Sequence, residues 1–170
     1  MTGRRHVVVM VTTSYPRFPG DGVGSFIEPI AKGVAARGHE VHLVAPWHPR
    51  LARPKHEDGV FFHFYKYAPT LGLNVFGYAE GLQADTHVRL AAWAAAPAAL
   101  AAGAFKALRV VQKKHATVVH AHWVIPNGPM AALAALLAFP AFAETLMHAH
   151  DAYARFLPGA KSGAAFMVLE

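Results

Sequence analysis

The chain alternates short β-branched apolar runs with amphipathic stretches of helical length. His6–Thr12 (HVVVMVT) is apolar almost throughout, the pattern of a parallel strand buried on both faces. A loop rich in Pro and Gly follows, with Pro16, Pro19, Gly20, Gly22 and Gly24. Ser25-Phe26-Ile27-Glu28 then has the spacing of a capping box, in which the Ser hydroxyl accepts from the third helical amide while the Glu reaches back. This predicts a helix running to Arg37, with Phe26, Ile27, Ile30 and Val34 on its apolar face and Gly38 ending it. Glu40–Ala45 predicts a second strand. The tight return through Gly38 and His39 makes a β-loop-α-β unit, whose two strands lie parallel through a right-handed crossover.

Further along, Pro46–Asp58 is polar, basic and interrupted by Pro, and predicts a loop. Val60–Tyr67 is aromatic and predicts a third strand, and Ala68–Gly81 a second loop. Leu82–Lys114 predicts a long helical region that Pro97 and Gly103 split or kink. Thr117–Ala121 predicts a fourth strand. Asn127 is placed to cap the next helix, with Pro129 in its first turn and Pro140 at its end. Beyond it the pattern weakens: Phe142–Met147 and Ala164–Leu169 are the candidate strands. The whole predicts one α/β domain over residues 1–170, a Rossmann-like three-layer arrangement with a mainly parallel sheet.

Composition narrows the function classes. Hydrophobic residues make up 54% of the chain, above the 45–50% usual for soluble domains. Alanine supplies much of the excess, which reads either as an Ala-rich helical core or as surface meant for a partner domain. The formal net charge of +6 favours anionic partners. The basic residues are scattered, with Arg4-Arg5 and Lys113-Lys114 the only adjacent pairs. Without a basic stripe carrying aromatics, nucleic acid is not an expected partner. The absence of cysteine excludes disulfides, thiolate zinc sites and cysteine nucleophiles, and suits the cytoplasm. The apolar run after Arg4-Arg5 is too short for a signal peptide. Leu90–Phe105, a long uncharged stretch, contains Pro97 and falls short of a bilayer span. The basic loop Arg50–Lys55 and the aromatics of Phe61–Tyr67 offer a peripheral contact with an anionic membrane at its inner face, against the plainer reading of a solvated basic face.

Three segments carry candidate chemistry. Gly20-Asp-Gly-Val-Gly24 brings glycines to a helix N-terminus, where free amides and the helix dipole suit a phosphate. The spacing is not that of a nicotinamide dinucleotide fingerprint. Arg17 in the same loop could add charge, although a lone Arg is more often solvated. The second segment is His120-Ala-His-Trp-Val-Ile-Pro-Asn-Gly128, at the carboxyl end of the fourth strand, where ligands of parallel sheets bind. Strand alternation points His120 and His122 one way and Ala121 the other. The third is His148-Ala-His-Asp151. Two His-x-His pairs at neighbouring strand ends make a histidine metal site conceivable, as a third-ranked reading.

Taken in order, Val7–Val11, Tyr15-Pro16, Gly22–Phe26 and Arg37–Pro46 resemble the opening of the family 4 glycosyltransferases, retaining enzymes of the GT-B fold. His120–Gly128 is similar to their fourth-strand "HAHW…P.G" stretch, and His148–Asp151 looks like their "HGxD" motif. The resemblance covers roughly residues 6–46 and 117–151. It implies the N-terminal, acceptor-side domain of an enzyme that moves a sugar from a nucleotide-sugar to a glycan or lipid-linked acceptor with retention. On that resemblance Gly22, Gly24 and Arg17 lie near the donor diphosphate. His122, Trp123, Pro126, Asn127 and Gly128 line the acceptor side. His148 sits by the transferred sugar, with Asp151 orienting it or touching substrate. The donor is a substrate, and no metal or other cofactor is expected. Ala149 departs from the motif's glycine. The second, donor-binding GT-B domain is absent from these residues, so the chain alone is expected to lack activity. The alternative is a non-catalytic sugar- or nucleotide-binding module on the same scaffold.

Overall fold

The computed structural model describes residues 5–78, 80 and 90–138, and by backbone alone 82–83, 87–88, 149–155 and 164–169. It is an α/β protein built on a five-stranded, mostly parallel sheet. β1 (Val7–Val11) lies between β2 (Glu40–Pro46) and β7 (Val118–Ala121), parallel to both. β4 (Val60–Tyr65) continues the parallel set beyond β2. The two-residue β3 (His56–Glu57) closes that edge as an antiparallel hairpin. The segment predicted as loop over Pro46–Asp58 therefore starts with the last residue of β2 and contains β3. Sheet order is β3-β4-β2-β1-β7. Chain order thus runs outward from β1 through β2 to β4, then jumps back across β1 to β7.

Strand alternation sorts the core into two layers. Val9 and Val11 of β1, Val44, Tyr65, Val119 and Ala121 face α2 (Leu90–Lys114) and α3 (Val124–Ala138). Val8, Met10, Val41, Leu43, Val60 and Phe62 face α1 (Ile27–Ala36). Every residue of Val8–Val11 is buried, as expected of a strand with helices on both faces.

Several local expectations need correction. The capping box does not form: α1 begins at Ile27, Phe26 occupies the cap position without a side-chain bond, and Glu28 instead pairs with Lys32 at 2.9 Å and Arg53 at 3.1 Å. Two cations outcompete one amide for that carboxylate. The buried stripe of α1 is Ile27, Ala31 and, in part, Val34, while Phe26 and Ile30 turn outward. Gly38 ends the helix as predicted, at φ +88°, with its amide donating to Ala35.

The long helix begins at Leu90, and residues 82–83 and 87–88 pair as a small antiparallel ladder, β5 (Leu82–Gln83) with β6 (His87–Val88). Neither Pro97 nor Gly103 divides α2. Pro97 lies early in the helix on an exposed face. Gly103 is a contact point: a Cβ there would stand 2.5 Å from Met130 Sδ and 2.9 Å from Tyr65 Oη, so its absence lets α3 and β4 close on α2. Running on to Lys114, α2 is long and apolar enough to cross a bilayer, which the uncharged stretch Leu90–Phe105 alone was not. Its Ala92, Ala95, Ala99, Ala107, Val110 and Val111 are nevertheless buried. The aromatic run Phe61–Tyr67 is not an exposed patch, since Phe62 and Tyr65 are buried and Phe61, Phe64 and Tyr67 are half-buried.

Ala164–Leu169 forms the predicted strand, β9, but its partner is β8 (Ala149–Arg155), antiparallel and with a register shift between His150 and Tyr153. This pair forms its own two-stranded ladder, with β9 lying alongside β7. The candidate strand Phe142–Met147 and the helix stop at Pro140 lie outside the described residues.

The loop leading to Tyr78 is tied to the end of β1. Tyr78 donates its amide to Thr13 O at 3.1 Å and Ser14 Oγ at 3.0 Å, and its hydroxyl to Pro46 O at 2.8 Å. Gly77 makes the approach with φ +90°, and a Cβ on it would meet the Thr13 carbonyl oxygen. Gly77→Ala is therefore expected to destabilise the fold by roughly 2–4 kcal/mol through strain and a backbone clash. Urea unfolding of the variant measures this, and a change below about 0.5 kcal/mol would contradict it.

Candidate active site at the carboxyl ends of β1 and β7

Strands β1 and β7 are adjacent in the sheet but distant in the chain, so different segments leave their carboxyl ends, the topological position at which ligands of parallel sheets bind. The first segment, Thr12–Phe26, is folded by its own polar groups. Thr12 Oγ1 donates to Ser14 O at 2.8 Å and accepts from the Ser14 amide at 3.2 Å. Arg17 and Asp21 form a buried bidentate pair, Nε to Oδ2 at 2.6 Å and Nη2 to Oδ1 at 3.0 Å. Asp21 also accepts from the amides of Arg17 at 2.9 Å and Val23 at 3.3 Å. The Arg17 hydrogen bond and these amides hold the Asp21 carboxyl far below the usual carboxylate range. The expectation of a solvated Arg17 is thus corrected: it is 6% exposed. Its charge is spent on Asp21, with Glu80 3.6 Å away, so it brings no spare positive charge to a phosphate.

The two glycines of the loop differ. Gly24 adopts φ +70°, and a Cβ would lie 3.0–3.1 Å from the backbone of Ser14 and Tyr15. It packs the loop against itself. Gly22 has open space where a Cβ would be. Ser25 N donates to Gly22 O at 3.4 Å and Ile27 N to Gly24 O at 3.0 Å, while the amides of Gly22 and Gly24 have no partner among the described residues.

The second segment begins where the amide of His122 donates to Val11 O at 2.9 Å, carrying the β1–β7 ladder one residue past the strand. His120 and His122 point the same way, with ring centroids 4.2 Å apart, and Ala121 faces the opposite core, as alternation required. Trp123 then takes φ +64°, a left-handed turn rare for an aromatic residue, and a cis Ile125-Pro126 bond follows. Asn127 is fully buried and donates Nδ2 to His122 O. It is therefore not acting as a side-chain cap for α3. It ties the start of α3 back to the end of β7 across the non-helical Ile125. Pro126 and Gly128 are half-buried.

The two segments meet. Phe26 packs edge-on against His122 at 6.2 Å and Trp123 at 5.5 Å. His122 is 1% exposed, and neither ring nitrogen has a hydrogen-bond partner among the described residues. Burial, with the neighbouring His120 ring adding to it, holds its pKa down to about 3. Burial alone holds His120 at about 4. Both are neutral imidazoles at pH 7. His122 can offer one donor and one acceptor, a combination suited to hydroxyl groups and not to charge neutralisation.

His148 lies outside the described residues. Asp151 falls in β8, which pairs antiparallel with β9. The structure therefore brings Phe26, at the end of the glycine loop that holds Gly22 and Gly24, against His122 and Trp123, with Asn127 bonded to the His122 carbonyl. Among the described residues no group of three or more His, Asp or Glu could hold a metal ion. Sequence reasoning missed Asp21, whose role shows only when Arg17 folds onto it. It also missed His48 and Tyr78, whose rings pack 5.1 Å apart beside Glu80. A lone carboxylate in a glycine loop carries no sequence signal for such a pair.

Asp21→Ala would strand the Arg17 guanidinium in the loop, and is expected to cost about 3–5 kcal/mol in urea unfolding. A loss under about 1 kcal/mol would mean that water already solvates the pair. The buried histidines make a second expectation. Their folded pKa values lie below the ordinary value of 6.5, so as pH falls the unfolded chain takes up protons that the folded chain refuses. Stability is complete above about pH 6.5 and declines toward pH 4, by about 1.4 kcal/mol per pH unit for each proton. Chemical unfolding between pH 7.5 and 4.5 is expected to show uptake of at least one proton. A flat profile would contradict the burial of both rings.

No protein-family model matches this chain, and no curated protein matches it.

Proposed function

We propose that this chain is the acceptor-side domain of a retaining, GT-B glycosyltransferase, and that its crevice between β1 and β7 receives sugar hydroxyls. The observation that carries the reading is the orphaned, buried imidazole of His122 at the point where the strand order reverses. A buried polar group without a partner costs about 1–3 kcal/mol. A sugar hydroxyl is the type of group that recovers that cost at a neutral imidazole. The parallel strands run in the order third-second-first-fourth, that of a Rossmann-like half, and ligands of such sheets sit outside the first and fourth strands.

The rim of the crevice supports the same reading. Trp123 is half-buried, Phe26 is 49% exposed and Ile125 is 81% exposed. They give an apolar wall to a sugar face, a lipid moiety or a facing domain. The open position at Gly22 and the spare amides of Gly22 and Gly24 suit a donor diphosphate at the same mouth. With Arg17 already paired, the remaining charge stabilisation of a leaving diphosphate falls to groups across the cleft. Transfer therefore requires a second, donor-binding body, and the reading places this chain where the acceptor is held. A cytoplasmic setting, at or near a membrane surface, follows from such donors and acceptors.

The placement of Asp151 on an antiparallel strand favours a second reading, a sugar- or nucleotide-binding module without catalysis. The two readings share the crevice and differ in turnover. A histidine metal centre would need ligands beyond those described.

His122→Leu separates function from stability. Replacing two unsatisfied nitrogens by methyl groups is expected to leave the unfolding free energy unchanged or raise it by about 1 kcal/mol. The same change is expected to weaken binding of glycan acceptors at least tenfold, about 1.4 kcal/mol, read by calorimetric titration. Wild-type acceptor affinity in this variant would sink the crevice assignment.

A further inference from the structure

As a sequence, the positive charges look scattered. Folded, the second half of α2 gathers them. Lys106, Arg109 and Lys113 follow one another at three- and four-residue steps, which places them on one helix face. With Lys114 and His63 they line a cavity of about 710 Å³ between α2 and β4. This size is that of small-molecule sites, about 300–1,000 Å³. Val110 and the stem of Gln112 complete the wall.

The charges are available. Among the described residues, Lys106, Arg109 and Lys113 have no carboxylate partner, and Arg109 instead lies over the Phe105 ring at 4.3 Å. Lys114 alone approaches an acid, Glu40 at 3.9 Å. No aspartate or glutamate lines the cavity. Like charges held along one helix face repel, which is unfavourable unless something answers them.

The wall behind His63 is also organised. His63 Nε2 lies 3.0 Å from His42 Nδ1, and His42 Nε2 lies 2.9 Å from Glu40 Oε1. His42 is fully buried and stacks on Phe61 at 5.0 Å. With Glu40 ionised, His42 donates from Nε2, so a neutral His42 must accept from His63 Nε2–H. The chain of bonds thereby fixes the tautomer of His63 and leaves its Nδ1 as an acceptor. Burial, then the neighbouring His42, Lys106, Lys114 and Lys113, hold His63 down to about 4. An anion in the cavity reverses the contribution of those lysines, and His63 becomes easier to protonate. A phosphate that binds there either brings its own hydroxyl to Nδ1 or draws a proton onto the ring.

We propose that this cavity is a binding site for a soluble, multiply charged phosphate ligand, of the diphosphate or triphosphate class, held by Lys106, Arg109 and Lys113 beside His63. The site lies away from the β1–β7 crevice and does not depend on the glycosyltransferase reading. Three cations within two turns of one helix, unpaired among the described residues and with no carboxylate in the lining, match the charge density of a compact polyanion.

Calorimetric titration of the full chain with tripolyphosphate at low salt tests the proposal. Binding is expected, with proton uptake revealed by buffers of different ionisation enthalpy. Changing Lys106, Arg109 and Lys113 together to Gln is expected to weaken it about tenfold or more. Changing Arg50, Lys55 and Lys66 to Gln removes the same charge elsewhere and is expected to leave affinity within about twofold. Equal weakening in both variants, or no binding by the wild type, overturns the proposal. So does binding only to vesicles of anionic phospholipid, or only to a single-stranded oligonucleotide, which would assign the face to a surface or polymer instead.

Discussion

The central constraint is that β1 is hydrogen-bonded on both edges and buried on both faces. Val8–Val11 pair with Val41–Val44 on one side and with Val118–Ala121 on the other, all parallel. A strand so enclosed cannot shift register without disturbing both neighbours and both helical layers. It therefore fixes where the chain leaves the sheet. Because β2 lies to one side of it and β7 to the other, the segments that follow β1 and β7 must part. The proposed site at these strand ends follows from that topology, and the side chains at its base inherit the rigidity of the sheet.

Polar groups in this region divide into those that are satisfied and those that are not. Asp21 answers Arg17 and two amides, so the glycine loop has a fixed shape before any ligand arrives. Asn127 answers the carbonyl of His122 and holds α3 to the strand end. Among the described residues both ring nitrogens of His122 are left without a partner, as are Asn127 Oδ1 and the Tyr15 hydroxyl. This contrast, more than exposure or charge, is why the proposed site is centred on His122. At the far side of α2 the pattern is reversed. There Glu40, His42 and His63 bond to one another in a chain, and Lys106, Arg109 and Lys113 have no carboxylate partner among the described residues.

The parallel framework was legible because it depends on local pattern. HVVVMVT is an almost continuous apolar run, EVHLVA follows a tight return from the helix, and Gly38 is the residue a helix end with positive φ requires. The alternation of His120, Ala121 and His122 also followed from strand geometry. What was not legible depends on competition between distant groups. Ser25 and Glu28 have capping spacing, but Lys32 and Arg53 claim the carboxylate. Gly103 has the composition of a helix breaker and serves as a contact with Met130 and Tyr65. Arg17 reads as solvated until Asp21 closes on it. The stripe on α2 was hidden because a three-to-four-residue period is invisible to a search for adjacent charges. His148, taken from resemblance, lies outside the described residues, and Asp151 is described by its backbone in β8 alone.

The account is tested most directly by amide and imidazole chemical-shift mapping during titration with a nucleoside diphosphate sugar and a glycan acceptor. The account predicts perturbations concentrated at Gly22, Gly24, His122 and Trp123, with the His122 ring nitrogens among the largest as they gain partners. Perturbations confined to Lys106–Lys114 and His63, or spread without focus, would contradict a sugar site between β1 and β7.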